Sequence, residues 1–282
     1  MRRCVVTLIS LAVAGTYASR AAAQSTDVAA LTAQVEALLQ VVETQAAQMQ
    51  TQASQIAVLQ TTVGVVAAPL SESGSNTSVG ENALVSVTTG SANSAVGQQA
   101  LRLNTTGSNN MAFGQAALKN NTEGSNNTAM GVEALYANTT GSENIASGFQ
   151  ALFANTEGSK NTATGYQALR SNTTGSYNTA TGYQALYSST TGGSNTATGY
   201  QVLYNNTTGS ANAAFAHGAL KDNTTGSNNT AFGQSALRKN TTGSNNTAMG
   251  VEALYANTTG GYNIASGFQA LFANTTGDYN TA

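Results

Sequence analysis

The chain of 282 residues is poor in groups that do chemistry, with one histidine, His217, and one cysteine, Cys4. A catalytic His217 would need a nucleophile or carboxylate held at fixed geometry. Nothing in the sequence pairs with it, and Ala216 beside it stands where a glycine otherwise recurs. His217 therefore reads as drift. Glu133 and Glu252 are equivalent positions 119 residues apart, not a facing acid and base. No acidic cluster or Cys/His spacing suggests a metal site, so neither a cofactor nor an enzymatic activity is expected. What does recur is aromatic. Phe149, Tyr166, Tyr183 and Tyr200, then His217, fall 17 residues apart, and so do Tyr136, Phe153, Arg170, Tyr187 and Tyr204. Stacked in columns, they would form stripes that bind a partner by stacking and burial. The bland reading is that they cover the surface or a seam between chains. Phe149, Tyr166, Tyr183, Tyr200, Tyr187 and Tyr204 form the candidate surface-binding ladder.

That spacing belongs to a repeat, G-S-x-N-T-A-x-G-x-x-A-L-x-x-N-T-T, whose opening glycines run every 17 residues from Gly90 to Gly277. A degenerate copy, one residue short, starts at Gly74. A short fixed period means a solenoid in which each copy is buried by its neighbours. Numbering the opening glycine as position 1, an alanine at position 6 and a glycine at position 8 around a variable residue read as a short strand with one crowded face. The Ala-Leu pair at positions 11 and 12 supplies the one large apolar side chain of each coil. The segment from position 15 to position 2 of the next copy has turn chemistry, with asparagine and glycine tolerant of positive φ. The asparagine at position 15 would form a self-satisfying ladder of stacked amides. About twelve coils at roughly 4.8 Å each would make a rod on the order of 58 Å long. One leucine and two alanines per coil is a thin core, which implies that the coils also bury a face against other chains.

Charged residues make up only 8% of the chain, with Lys+Arg 10 and Asp+Glu 12. That balance gives no electrostatic case for nucleic acid or an anionic membrane. So polar a composition could describe a disordered coil, but such coils do not hold alanine and leucine in register. Residues 124–156 and 243–275 are nearly identical, the mark of a copied block.

Residues 1–23 read as a secretory signal peptide. Arg2 and Arg3 open it, an apolar run too short to span a bilayer follows, and Ala21-Ala22-Ala23 precede a cut before Gln24. A secreted or cell-surface location follows. Residues 24–68 read as a coiled coil. Val28, Val35, Val42, Met49, Ile56 and Val63 fall at a, and Leu31, Leu38, Gln45, Gln52, Leu59 and Val66 at d. These twelve residues are the expected oligomerisation seam. Val or Ile at a with Leu at d favours two strands, whereas Leu39 and Val41 broaden the seam toward three. Dimer and trimer stay open on the heptads alone. Pro69 ends the helix, 69–73 form a linker and 74–282 the repeat head.

The N-T-A-x-G-x-x-A-L unit resembles the head repeats of YadA-like trimeric autotransporter adhesins in an expanded form, over residues 74–282. The resemblance implies a trimer of left-handed parallel β-rolls joined to a coiled coil and binding host matrix or other surfaces. Two departures matter. The coiled coil precedes the head, and the sequence stops at Ala282, position 6 of a repeat, without the family's β-barrel anchor, so a fragment is one expectation. Similar arrays occur in fibres ending in an endosialidase-type intramolecular chaperone, which makes a purely structural fibre or spacer the alternative function. Asn-x-Ser/Thr patterns at Asn76, Asn104, Asn138, Asn172, Asn223, Asn240, Asn257 and Asn274 are either glycan acceptors or plain turn residues. Thr162/Thr164, Thr179/Thr181 and Thr196/Thr198 form paired columns like those of ice-binding solenoids, a remote alternative.

The expectation is thus a secreted, non-catalytic, homotrimeric fibrous adhesin. It would be an all-β left-handed parallel β-roll behind an α-helical coiled coil. Its partners would be its own copies, with extracellular matrix or another cell surface as a further partner, and not nucleic acid.

Overall fold

The structure, a computed structural model, describes residues 25–63 and 76–282. The signal-peptide segment 1–23, the linker 69–73, Val66 and Pro69 lie outside the described residues. Helix α1 spans Ser25–Val63, 39 residues without a Gly or Pro. Thr44, Thr51 and Ser54 donate their hydroxyls to the carbonyls four residues back, Thr44 Oγ1 to Gln40 at 2.7 Å.

The repeats form one sheet of twelve parallel strands in sequence order, from β1 (Thr77–Val79) to β12 (Ile264–Ser266). Every position pairs with the same position one repeat later, for example Ala129 with Ala146 and Ala146 with Ala163. The expected parallel β-solenoid with 17-residue coils is what the chain forms. Each strand is three residues, positions 5 to 7, one residue earlier than the A-x-G unit at positions 6 to 8 suggests. Position 6 points inward and is fully buried from Ala95 to Ala265, while 5 and 7 point outward.

The interior is layered by position. The alanines at positions 6 and 11 and the leucine at position 12 form the apolar part, and two columns of asparagine fill the rest. The asparagine at 15 forms the expected amide ladder, and it is buried from Asn104 to Asn257 except where Ser189 replaces it. The asparagine at 4 is buried too, and the sequence did not announce it. In column 15, Asn138 Nδ2 donates to Asn121 Oδ1 at 2.6 Å and to the Gly141 carbonyl at 2.8 Å. In column 4, Asn127 Nδ2 donates to the same Gly141 carbonyl at 2.9 Å, while its Oδ1 accepts the backbone N–H of Asn144 at 3.0 Å. Both amide columns therefore converge on the carbonyl of the opening glycine.

The segment from position 15 to position 2 does not use its tolerance of positive φ. Positive-φ residues sit at positions 3, 8, 10 and 12, as at Lys160, Gly165, Gln167 and Leu169. The opening glycine is needed for space. A Cβ on Gly141 would stand 2.5 Å from both the Gly158 carbonyl oxygen and Asn138 Oδ1. The glycine at position 8 meets both demands, since Gly131 has φ 138 and its Cβ would lie 2.5 Å from the Gly148 carbonyl oxygen. The leucine at position 12 holds φ between 49 and 52 in every coil. That conformation costs about 1–2 kcal/mol for a residue with a Cβ. Fully burying the side chain returns about 1.5–3 kcal/mol, so burial wins.

One coil departs. Ala216 occupies position 8 at φ 84 and Gly218 takes position 10 at φ 66. The next rung loosens, with Gly233 N–H reaching the Phe215 carbonyl at 3.3 Å against 2.8 Å for Gly131 to Phe113.

Candidate functional site

With the inward columns committed to stability, function falls to the outward ones. The strand pleat turns positions 5 and 7 outward, and two further residues, at most about 7 Å of chain, lead to position 9. These three columns are studded with exposed apolar side chains. Met111, Phe113, Met130 and Val132 occupy two successive coils, and Phe232, Met249, Val251 and Ile264 others further along, each 39–48% exposed. Where positions 5 and 7 are threonine, at 162–198, position 9 is tyrosine. Large side chains thus continue along the band from coil to coil.

The column at 9 contains four of the candidate ladder residues. Phe149, Tyr166, Tyr183 and Tyr200 are 39%, 45%, 42% and 47% exposed. Their rings stack 5.1–5.3 Å apart, and His217 extends the stack at 5.2 Å from Tyr200. His217 is therefore one more ring in a column. Among the described residues, no group of three or more His, Cys, Asp or Glu lies together.

Tyr187 and Tyr204 lie elsewhere. They belong to position 13, are half-buried, and stack on each other at 5.1 Å. The six ladder residues thus divide between two columns of different character. Besides Arg170, position 13 holds Lys119 and Lys221, which a reading for rings alone leaves out. Lys119 stands 5.3 Å over the Tyr136 ring, Arg170 lies 5.2 Å from Phe153 and 5.8 Å from Tyr187, and Lys221 is 5.9 Å from Tyr204. Reading the column at period 17 for charge finds Lys119 and Lys221 as well.

The threonine pairs do face outward, with Thr164, Thr181 and Thr198 exposed. Ser147 and Phe215 bound them at position 7. Of the Asn-x-Ser/Thr residues, Asn104, Asn138, Asn172, Asn223, Asn240 and Asn257 are fully buried in column 15, where a folded coil has no room for a glycan.

On α1, Leu38, Val42 and Met49 of the heptad seam are 56–64% exposed, Gln45 and Gln52 are exposed, and Val35 is half-buried. Val28, Leu31, Ile56, Leu59 and Val63 also fall on this helix. No helix among the described residues is long and apolar enough to cross a membrane. Comparison with protein-family models, curated proteins and solved structures returns no match.

Proposed function

We propose that this chain is a secreted or cell-surface fibrous protein of adhesin type, non-catalytic, working as a parallel homotrimer. The observation that carries the reading is the apolar band at positions 5, 7 and 9. An exposed patch of this extent in water marks an interaction surface. The three columns span at most about 13 Å by eleven intervals of about 4.8 Å, an upper bound on the order of 700 Å². Apolar or aromatic side chains hold half of their positions, and threonine, serine and glutamine most of the rest.

The partner that fits is another copy. A face ridged at the rise of a parallel sheet matches in pitch another face with the same rise. Exposed heptad residues on α1 supply a second apolar surface of the same kind, suited to a coiled coil that aligns copies in parallel. Three strands and a left-handed roll follow the resemblance to YadA-like heads. In this assembly Phe149, Tyr166, Tyr183 and Tyr200 are covered, and the column at 13 with Tyr187 and Tyr204 stays open to matrix or another cell surface. The signal-peptide reading of residues 1–23 supports export.

Substitution separates the two columns. Changing Phe149, Tyr166, Tyr183 and Tyr200 to Ser should lower the assembly's mass. Changing Tyr187 and Tyr204 to Ser should leave the mass and reduce capture on matrix-coated or cell surfaces. Unchanged capture by the second variant would exclude those tyrosines as the contact. A spacer in a longer fibre is the second reading, favoured if the assembled protein binds no surface at all. Thermal hysteresis of the purified protein would be needed for an ice-binding role, and the interruption of the threonine array after three coils weighs against it.

A further inference from the structure

The chain's few cations are segregated. Residues 76–282 contain seven Lys or Arg, and six of them, Arg102, Lys119, Arg170, Lys221, Arg238 and Lys239, lie at positions 13 and 14. Only Lys160 lies elsewhere, at position 3. Asp222 is the one acid at positions 13 and 14, and the other seven acids lie on other columns, Glu133 and Glu252 among them at position 10. A net-negative chain thus carries one positive edge along its solenoid. We propose that this edge is a binding track for a linear polyanionic polysaccharide, one bearing carboxylate or sulfate groups along its length. The inference rests on the reading of the solenoid as a surface-binding fibre and names the ligand class of its open edge.

Ring geometry and hydrogen bonding argue for that ligand. Lys119, Arg170 and Lys221 are each three coils apart, about 14 Å at the rise of a parallel sheet. Between them lie the ring pairs Tyr136–Phe153 and Tyr187–Tyr204, stacked within 12° of parallel. Cations stand over the outer faces of both pairs. The ring faces are therefore occupied and offer no platform for bases, which is how single-stranded nucleic acid is held. Arg102 stands one coil from Lys119, and Arg238 and Lys239 one coil from Lys221, so the cations cluster toward both ends of the track with Arg170 between them.

A ladder of amides flanks the cations. Gln150, Gln167, Gln184 and Gln201 join side chain to side chain at 3.0 Å. Arg170 Nε donates to Gln150 Oε1 at 3.1 Å, and Lys221 Nζ to Gln201 Oε1 at 2.9 Å, which fixes both charges beside that ladder. Amides, the half-buried Asn120 and Asn205, and tyrosine hydroxyls are partners for sugar hydroxyls. Fixed cations then take the charged groups.

The test uses the full chain and measures its binding to immobilised heparin and polygalacturonate, with dextran and duplex DNA as further arms. The expected result is binding to one or both polyanions that weakens as NaCl rises. Heparin alone would assign the edge to sulfate, polygalacturonate alone to carboxylate, and either supports the track. A Lys119→Gln/Arg170→Gln/Lys221→Gln variant should bind at least about tenfold more weakly, with a shallower salt dependence, whereas Lys160→Gln should bind as the parent does. Lys119→Arg/Lys221→Arg should retain binding, and unchanged circular dichroism of the glutamine variant separates lost charge from lost fold. Binding no better than to dextran, a glutamine variant that binds as the parent does, or a preference for DNA would each overturn the track. Attachment to a protein matrix without polyanion binding sinks this inference and leaves the adhesive reading standing. Polyanion binding without attachment to any matrix or cell does the reverse.

Discussion

The two buried asparagine columns look alike and differ in what they hold. Column 4 is asparagine without interruption from Asn76 to Asn280. Column 15 opens with Val87 and is broken again at Ser189. The reason lies in the partners. Each column-4 Oδ1 accepts a backbone N–H from the next coil, as Asn161 does from Asn178 at 2.9 Å. No other group there can take that proton. Column-15 amides bond to one another and to a glycine carbonyl that column 4 also serves. Where Ser189 interrupts them, the groups left without partners are side-chain atoms, Asn172 Oδ1 and Ser189 Oγ. An orphaned backbone donor is intolerable in a stack that repeats it in every coil, whereas one orphaned side-chain acceptor can be carried.

The glycines that let the coils close around these columns mark the upper limit of damage. Gly131→Ala places a side chain at φ 138 and against the Gly148 backbone. A loss of about 4 kcal/mol is expected, read as a lower urea midpoint and fast hydrogen exchange in neighbouring rungs. Asn161→Ala comes next, at about 3 kcal/mol, because the Asn178 N–H loses its acceptor while the Gly175 carbonyl keeps Asn172. Asn138→Ala should cost about 1–2 kcal/mol, since the Gly141 carbonyl keeps Asn127 and the groups stranded, Asn121 Oδ1 and one N–H of Asn155 Nδ2, are side-chain atoms. Equal midpoints for the two asparagine variants would erase the distinction between the columns. The smallest effect should be a gain. Ser189→Asn supplies the missing donor to Asn172 Oδ1 and should raise stability by about 1 kcal/mol. A loss instead would mean that column 15 is shaped around its serine.

How much of this was legible follows from the same contrast. The 17-residue period, the strand around the alanine at position 6 and the Ala-Leu pair announce the parallel solenoid, because repetition fixes register without knowledge of the path within a coil. That path was not legible. Leu169 at φ 51 contradicts local preference, and only the buried stack behind it explains the choice. Nothing in the sequence singles out Asn127, since its backbone partner arrives from 17 residues away. The outward columns split the aromatic ladder in the same manner. Tyr183 and Tyr187 are four residues apart and equally conspicuous, yet one is exposed beside the strand and the other is half-buried in a column of alternating rings and cations. Residue types alone offer no means of telling a face meant for other copies from an edge left open.

Whether that division is right turns on the band at positions 5, 7 and 9. Sedimentation equilibrium of the chain at micromolar concentration tests it most directly. The expected mass is that of three chains, falling toward one when Phe113, Met130, Phe232 and Met249 are changed to Ser. A stable, fully folded monomer of the parent chain would contradict it.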